Sequence, residues 1–165
     1  MIEKIIEELK KIHPNKSEFN VMLAGTFDII HTGHIYLIKE AAKIGKVHVI
    51  IARDTSVTKY KGQPPILPEK QRLKLVQGLK GVESVRLGSE NGKLIRIAEF
   101  NPDIFLLGPN QFGDPGKYEG ELKKLEYKTI FRRLPEIDDS FPLNSSTKIK
   151  EKILKSYKPK KKSNN

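Results

Sequence analysis

Val21-Met22-Leu23-Ala24-Gly25-Thr26-Phe27-Asp28-Ile29-Ile30-His31-Thr32-Gly33-His34 joins an apolar run to an amphipathic one through a turn of small, hydroxyl and imidazole groups. Val21 to Ala24 read as a buried strand, and Ile35, Leu37, Ile38, Ala41, Ala42 and Ile44 have the spacing of a helix packed on a sheet. His31 and His34 therefore stand at the mouth of a helix. Unpaired N–H groups and the positive end of the helix dipole converge there, and Gly33 removes a Cβ from the path of an anion. Two imidazoles three residues apart on that turn can face one phosphate. The plain alternative is a strand-to-helix turn with one surface and one capping histidine. The full context of strand, Gly-Thr, Asp, paired His and helix favours the phosphate site.

The remainder alternates in the same manner. Residues 46–52, 82–87, 104–107 and 129–132 read as strands, and residues 69–79, 93–100, 118–125 and 147–157 as helices. Alternating units with short connections predict an α/β fold: a single Rossmann-like domain with a parallel five-stranded sheet and helices on both faces. Residues 1–12 place Ile2, Ile5, Ile6, Leu9 and Ile12 at helical spacing, which predicts an N-terminal amphipathic helix serving as core or dimer contact. The expected division is a helical extension over 1–17, one domain over 18–157 and a disordered basic tail over 158–165. Neither an internal repeat nor a second domain is visible.

Composition narrows the function classes. The chain of 165 residues has no Cys, which excludes disulfides, thiolate zinc sites and a Cys nucleophile. The net charge is +11, of which Lys158, Lys160, Lys161 and Lys162 supply four. The rest is spread widely, and no aromatic interleaving of a single-strand binder accompanies it, so nucleic acid is not the expected partner. Nothing reads as a signal peptide or membrane span, and a cytoplasmic location is expected.

Ligands on parallel sheets bind outside the C-terminal ends of the strands, at the point where strand order reverses. Three further segments fall at such ends. Thr58-Lys59-Tyr60-Lys61-Gly62-Gln63-Pro64-Pro65 reads as a basic loop before a rigid Pro pair. Gly108, Asn110 and Gln111 follow the fourth strand as a glycine turn with two amides, a common turn composition in its own right. Ser145, Ser146 and Thr147 precede the last helix, where hydroxyls either cap it or, with Lys148, form a second anion site.

The Gly25-Thr26-Phe27-Asp28 run, the His31-Thr32-Gly33-His34 run and Ser145-Ser146-Thr147-Lys148-Ile149 more than 100 residues later resemble the nucleotidyltransferase superfamily that carries an HxGH motif, the cytidylyltransferase-like fold. The resemblance covers residues 18–156. A similar turn occurs in class I aminoacyl-tRNA synthetases, for which this chain is too short. Ala52-Arg53-Asp54, the loop ending Pro64-Pro65-Ile66-Leu67-Pro68-Glu69, and Leu107-Gly108-Pro109-Asn110-Gln111 are most similar to the archaeal type of FAD synthase, an FMN adenylyltransferase, with Asn110 where that pattern has Asp. Glycerol-3-phosphate cytidylyltransferases resemble the Ser146-to-Lys150 stretch, and pantetheine-phosphate adenylyltransferases share the first two motifs.

The resemblance implies transfer of a nucleoside monophosphate from ATP or CTP to a phosphorylated acceptor, with release of pyrophosphate. It implies His31, His34, Lys59 and Lys61 as catalytic groups, the lysines on a lid over the triphosphate. Gly25, Thr26, Phe27, Asp28, Gly33, Arg72, Gly108, Asn110, Gln111, Ser145, Ser146 and Thr147 would bind the nucleotide. A divalent metal, Mg²⁺, would bridge the triphosphate, with Asp28 contributing charge, although no dedicated metal-ligand spacing is present. Small-molecule substrates and a homodimer are the expected partners. A catalytically idle nucleotide- or RNA-binding module is the competing class, and the intact His31, His34 and lysine pair argue against it.

Overall fold

The computed structural model describes residues 1–90, 93–111, 114–135 and 140–157, with the backbone alone at 93–95. The expected tail over 158–165 lies outside the described residues. In chain order the elements are α1 (Ile2–Ile12), β1 (Phe19–Gly25), α2 (Thr32–Ala42), β2 (Gly45–Ile51), α3 (Asp54–Lys61), α4 (Glu69–Gln77), β3 (Ser84–Leu87), α5 (Lys93–Phe100), β4 (Ile104–Leu107), α6 (Pro115–Lys124), β5 (Ile130–Arg133) and α7 (Ser146–Ser156).

All neighbouring strands pair in parallel, in the order β3-β2-β1-β4-β5. The order reverses beside β1, so the crevice expected of such a sheet opens between the ends of β1 and β4. Alternation along each strand feeds two cores. Val21, Leu23, Val47, Val49, Ile104 and Leu106 join α2 and α4 on one face, while Met22, Ile50, Phe105 and Phe131 meet Ile97 of α5 and Leu122 of α6 on the other. The N-terminal helix belongs to the first core: Ile2, Ile5 and Leu9 are buried in the same cluster, and Glu8 accepts from Arg132 Nε of β5 at 3.0 Å.

A polar ladder runs across the lower half of the sheet. Lys16 Nζ donates to both oxygens of buried Asp103 at 2.7 and 2.6 Å, and Asn20 N–H donates to the same carboxylate at 2.7 Å. Asn20 Oδ1 in turn meets His48 Nε2 at 3.1 Å, and His48 Nδ1 meets Ser84 Oγ at 2.8 Å. Strands β1, β2 and β3 and the residue that leads into β4 are thereby linked by bonded polar groups.

One expectation is corrected here. Lys59 and Lys61 do not lie on a loop: residues 54–61 form α3, which ends at Gly62 with φ 73°, a left-handed conformation that glycine adopts without strain. The helix is held from a distance. Asp54 N–H donates to Glu69 Oε2 at 2.9 Å and Glu69 N–H donates to Asp54 Oδ2 at 3.1 Å, so the first turns of α3 and α4 cap each other. Helix α6 also starts earlier than expected, at Pro115 after an Asp114 cap that accepts from Gly116 N–H. No helix among the described residues is long and apolar enough to cross a membrane.

Candidate active site at the mouth of helix α2

Helix α2 begins with no side chain capping its first turn. Above it the rings of Phe27, His34 and His31 form a column, with centroids 4.6 Å apart for the first pair and 3.8 Å for the second, each pair close to parallel. Phe27 holds its place at φ 50°, a sparsely populated conformation for a bulky residue and one found where a site is over-determined by its surroundings. A Cβ on Gly33 would come within 2.5 Å of the Asn144 carbonyl oxygen. Glycine is therefore needed for the close approach of the segment before α7, in addition to any anion.

His31 Nδ1, His34 Nδ1 and Thr32 Oγ1 are buried and have no hydrogen-bond partner among the described residues. A buried lone pair without a partner costs less than a buried N–H without one, which places the proton of each neutral ring on Nε2. Burial holds the protonation of both rings below the ordinary histidine range. For His34, burial together with the charges of His31 and Lys61 lowers the pKa to about 3. Both imidazoles are neutral at pH 7, each with an N–H donor on the nitrogen that is not sealed off.

The surroundings fix this mouth in place. Arg72 is fully buried; its Nε donates to Leu67 O at 2.9 Å, its Nη1 to Thr26 O, and its Nη2 to Ala52 O and Asp54 Oδ1 at 2.7 Å each. Each guanidinium nitrogen is thus engaged by the protein, and Arg72 ties the end of β1 to the segments after β2 and before α4. Asp28, 3% exposed, accepts from Leu67 N–H at 2.9 Å and from Lys150 Nζ at 2.6 Å. Burial raises its pKa, but the bonds from Lys150 and the 66–67 backbone outweigh that, and it lies below the ordinary value. Lys150 is a member of this cluster that sequence reasoning passed over, because its spacing on α7 carries no mark of a partner 122 residues away.

The other expected residues divide by what they touch. Gly25 O accepts from Ala52 N–H, joining β1 to the start of the 52–54 turn. Ser145 is the cap of α7, accepting from Lys148 N–H at 3.2 Å, whereas Ser146 Oγ donates to Ile29 O at 3.2 Å and fastens α7 to the α2 mouth. Thr147 is exposed on the first turn of α7. Lys148 Nζ donates to Asn144 Oδ1 at 2.8 Å. Of the two α3 lysines, both exposed, Lys61 is the one whose charge acts on His34. Across the crevice, the Gln111 carboxamide is bonded inside the protein, to Ala24 O and Gly108 N–H, while Asn110 is exposed.

Among the described residues no group of three or more His, Cys, Asp or Glu could hold a metal ion. Asp28 is 3% exposed, and each of its oxygens already accepts a hydrogen bond, from Leu67 N–H and Lys150 Nζ. The donors gathered here are neutral N–H groups, hydroxyls and ammonium groups, which are suited to phosphate oxygens rather than to a cation.

The fold is a parallel α/β domain with its candidate site at the end of β1, and residues 22–152 match the family described as cytidylyltransferase-like. The chain belongs to that family of nucleotidyltransferases. It is 41% identical over 140 residues to the FAD synthase of Methanobrevibacter smithii, covering 82% of this chain and 90% of that protein. The FAD synthase of Archaeoglobus fulgidus is 39% identical, with coverage of 82% and 98%. Among solved structures, the lipopolysaccharide core biosynthesis protein from Thermoplasma volcanium GSS1 superposes with a TM-score of 0.69 at 35% identity, covering 74% of this chain and all of that one.

Proposed function

We propose that the protein transfers the adenylyl group of ATP to FMN, forming FAD and pyrophosphate. An oxygen of the FMN phosphate attacks the α-phosphorus of ATP, the bond from that phosphorus to the bridging oxygen breaks, and pyrophosphate leaves with the electron pair. The attacking oxygen is already ionised at neutral pH, so no general base is required. The protein's task is to align two anions and to stabilise charge as it builds on the transferring phosphoryl group.

The observation that carries this reading is the pair of stacked, neutral imidazoles at an uncapped helix mouth, in a chain about 40% identical to FAD synthases. His31 and His34 donate from Nε2 to phosphate oxygens, and the first turn of α2 adds its N–H groups. Lys61 is favoured over Lys59 as the cation on the triphosphate because it is the lysine felt by His34. Arg72, Asp28, Lys150 and Ser146 act by positioning. Mg²⁺ enters as part of the substrate, bound to the triphosphate oxygens, and no protein carboxylate is assigned to it. Asn110 and Thr147 remain candidates for direct contact with the nucleotide.

The test is pyrophosphate release with ATP and CTP against FMN, glycerol 3-phosphate, phosphopantetheine and phosphocholine. FAD formed only in the ATP and FMN pairing supports the reading. Turnover with a different acceptor and none with FMN would replace it.

A further inference from the structure

The turn after β4 is braced from within by Gln111 and from outside by Arg133, which no sequence motif marks. Gly108 N–H donates to Gln111 Oε1 at 3.2 Å, and Gln111 Nε2 donates to Ala24 O, near the end of β1, at 2.8 Å. Gln111 N–H returns to Gly108 O at 3.1 Å. From the other side, Arg133, the last residue of β5, extends Nη1 to the carbonyl oxygens of Gly108 at 3.1 Å, Pro109 at 3.4 Å and Gln111. The turn is therefore bracketed by β1 through Gln111 and by β5 through Arg133.

The bracket consumes the turn's own polar groups except at one residue. Asn110 is exposed, and its peptide and carboxamide groups have no protein partner among the described residues. The two sides of the crevice then differ in chemistry. The α3 side presents the ammonium group of Lys61, which suits a polyphosphate. The β4 side presents neutral donors and acceptors on a fixed backbone, with Arg133 Nη1 spent on carbonyls, which suits the neutral hydrogen-bonding edge of a nucleoside base.

We infer that Arg133 and Gln111 are positioning residues for the base of the nucleotide, holding the Gly108–Gln111 turn so that Asn110 is presented to it. The inference rests on the proposed nucleotidyl transfer. A turn ordered before binding does not have to be ordered by the nucleotide, so loosening the bracket weakens nucleotide binding more than it slows the chemical step.

Steady-state kinetics of Arg133→Ala, Arg133→Lys and Gln111→Met, with ATP and acceptor varied separately, test this. Arg133→Ala is expected to raise KM for ATP about tenfold, with KM for the acceptor within about twofold and kcat falling by less than KM rises. Gln111→Met, close in shape but without the amide, moves the same parameter by about threefold, and Arg133→Lys recovers part of the loss. An unchanged KM for ATP in a folded variant, or equal shifts in both KM values, overturns the inference. Should Arg133→Ala fail to fold, Gln111→Met and Arg133→Lys decide by the same criterion. If the wild-type protein releases no pyrophosphate with FMN, the proposed acceptor is wrong and calorimetric binding of ATP takes over. About tenfold weaker ATP binding in Arg133→Ala then supports the bracket, and equal binding overturns it.

Discussion

Two sets of histidines in this molecule are held below the ordinary histidine pKa by burial, yet they are treated in opposite ways. His48, in the lower half of the sheet, has both ring nitrogens bonded, within a ladder that continues through Asn20 to Asp103 and Lys16. His31 and His34, at the upper end, stack on each other and leave their buried Nδ1 atoms without a partner. Buried polar groups in folded proteins are normally satisfied. The His48 ladder meets that requirement within the chain and reads as structure, although at its edge His13 Nε2, 3.4 Å from Asp103 Oδ1, is also buried without a hydrogen bond among the described residues. What sets the upper pair apart is that two stacked rings share the deficit at an uncapped helix mouth.

The largest expected effect breaks the comparison at its open end. Replacing His31 or His34 by Ala should lower kcat by roughly 10² or more, because donors aimed at developing phosphate charge are worth most in the transition state. The thermal midpoint should fall by only a few degrees, because ring stacking is lost but neither ring nitrogen gives up a bond within the protein. Near-normal turnover in both variants would remove the histidines from the chemistry.

Asp103→Ala attacks the closed end. It strands the buried Asn20 N–H and releases Lys16 to solvent, for a cost of about 2–3 kcal/mol and a fall in Tm of roughly 5–10 °C. The kcat of the folded fraction should match the wild type. A loss of kcat at full folding, read against circular dichroism at the assay temperature, would mean that the two ends are coupled.

Lys61→Ala sharpens the open end: KM for ATP should rise by roughly five- to tenfold, and Lys59→Ala should change it by less. The reverse order would transfer the phosphate contact to Lys59.

A response to acid also probes the open end. His34, with a pKa of about 3 in the folded protein against about 6.5 unfolded, stabilises the fold fully above the unfolded value, and this is lost as pH falls from about 6.5 toward 3. His31 and His48 are shifted in the same direction and add to the slope. The urea midpoint should therefore fall between pH 6.5 and 4.5, and His34→Gln should flatten that fall. An identical slope in the variant would show that His34 is not held neutral.

The parts of this account that were legible in the sequence are those marked by local pattern. The Gly25-to-His34 turn announces itself because strand period, glycine, paired histidines and helix period adjoin one another, and the sheet follows from the repeated alternation. Helix α3 was not legible. Asp54 to Lys61 carries little helical periodicity, and its first turn is capped by Glu69, fifteen residues on. The role of Arg72 is equally hidden, since three of its four acceptors are backbone carbonyls, which no side-chain pattern records. Arg133 escapes for the same reason, and Lys150 because its partner, Asp28, lies 122 residues away. The Asp114-Pro115 start of α6, by contrast, is an ordinary cap followed by Pro at the first helical position, and reading it would have placed that helix correctly.

The central claim is that the imidazoles of His31 and His34 are kept open for phosphate. Side-chain ¹⁵N spectra of the four histidines, recorded with and without Mg²⁺ and ATP, address it directly. The account predicts that the Nε2 resonances of His31 and His34 shift on adding nucleotide, while those of His13 and His48 stay in place. Unmoved His31 and His34 resonances at saturating nucleotide would contradict it.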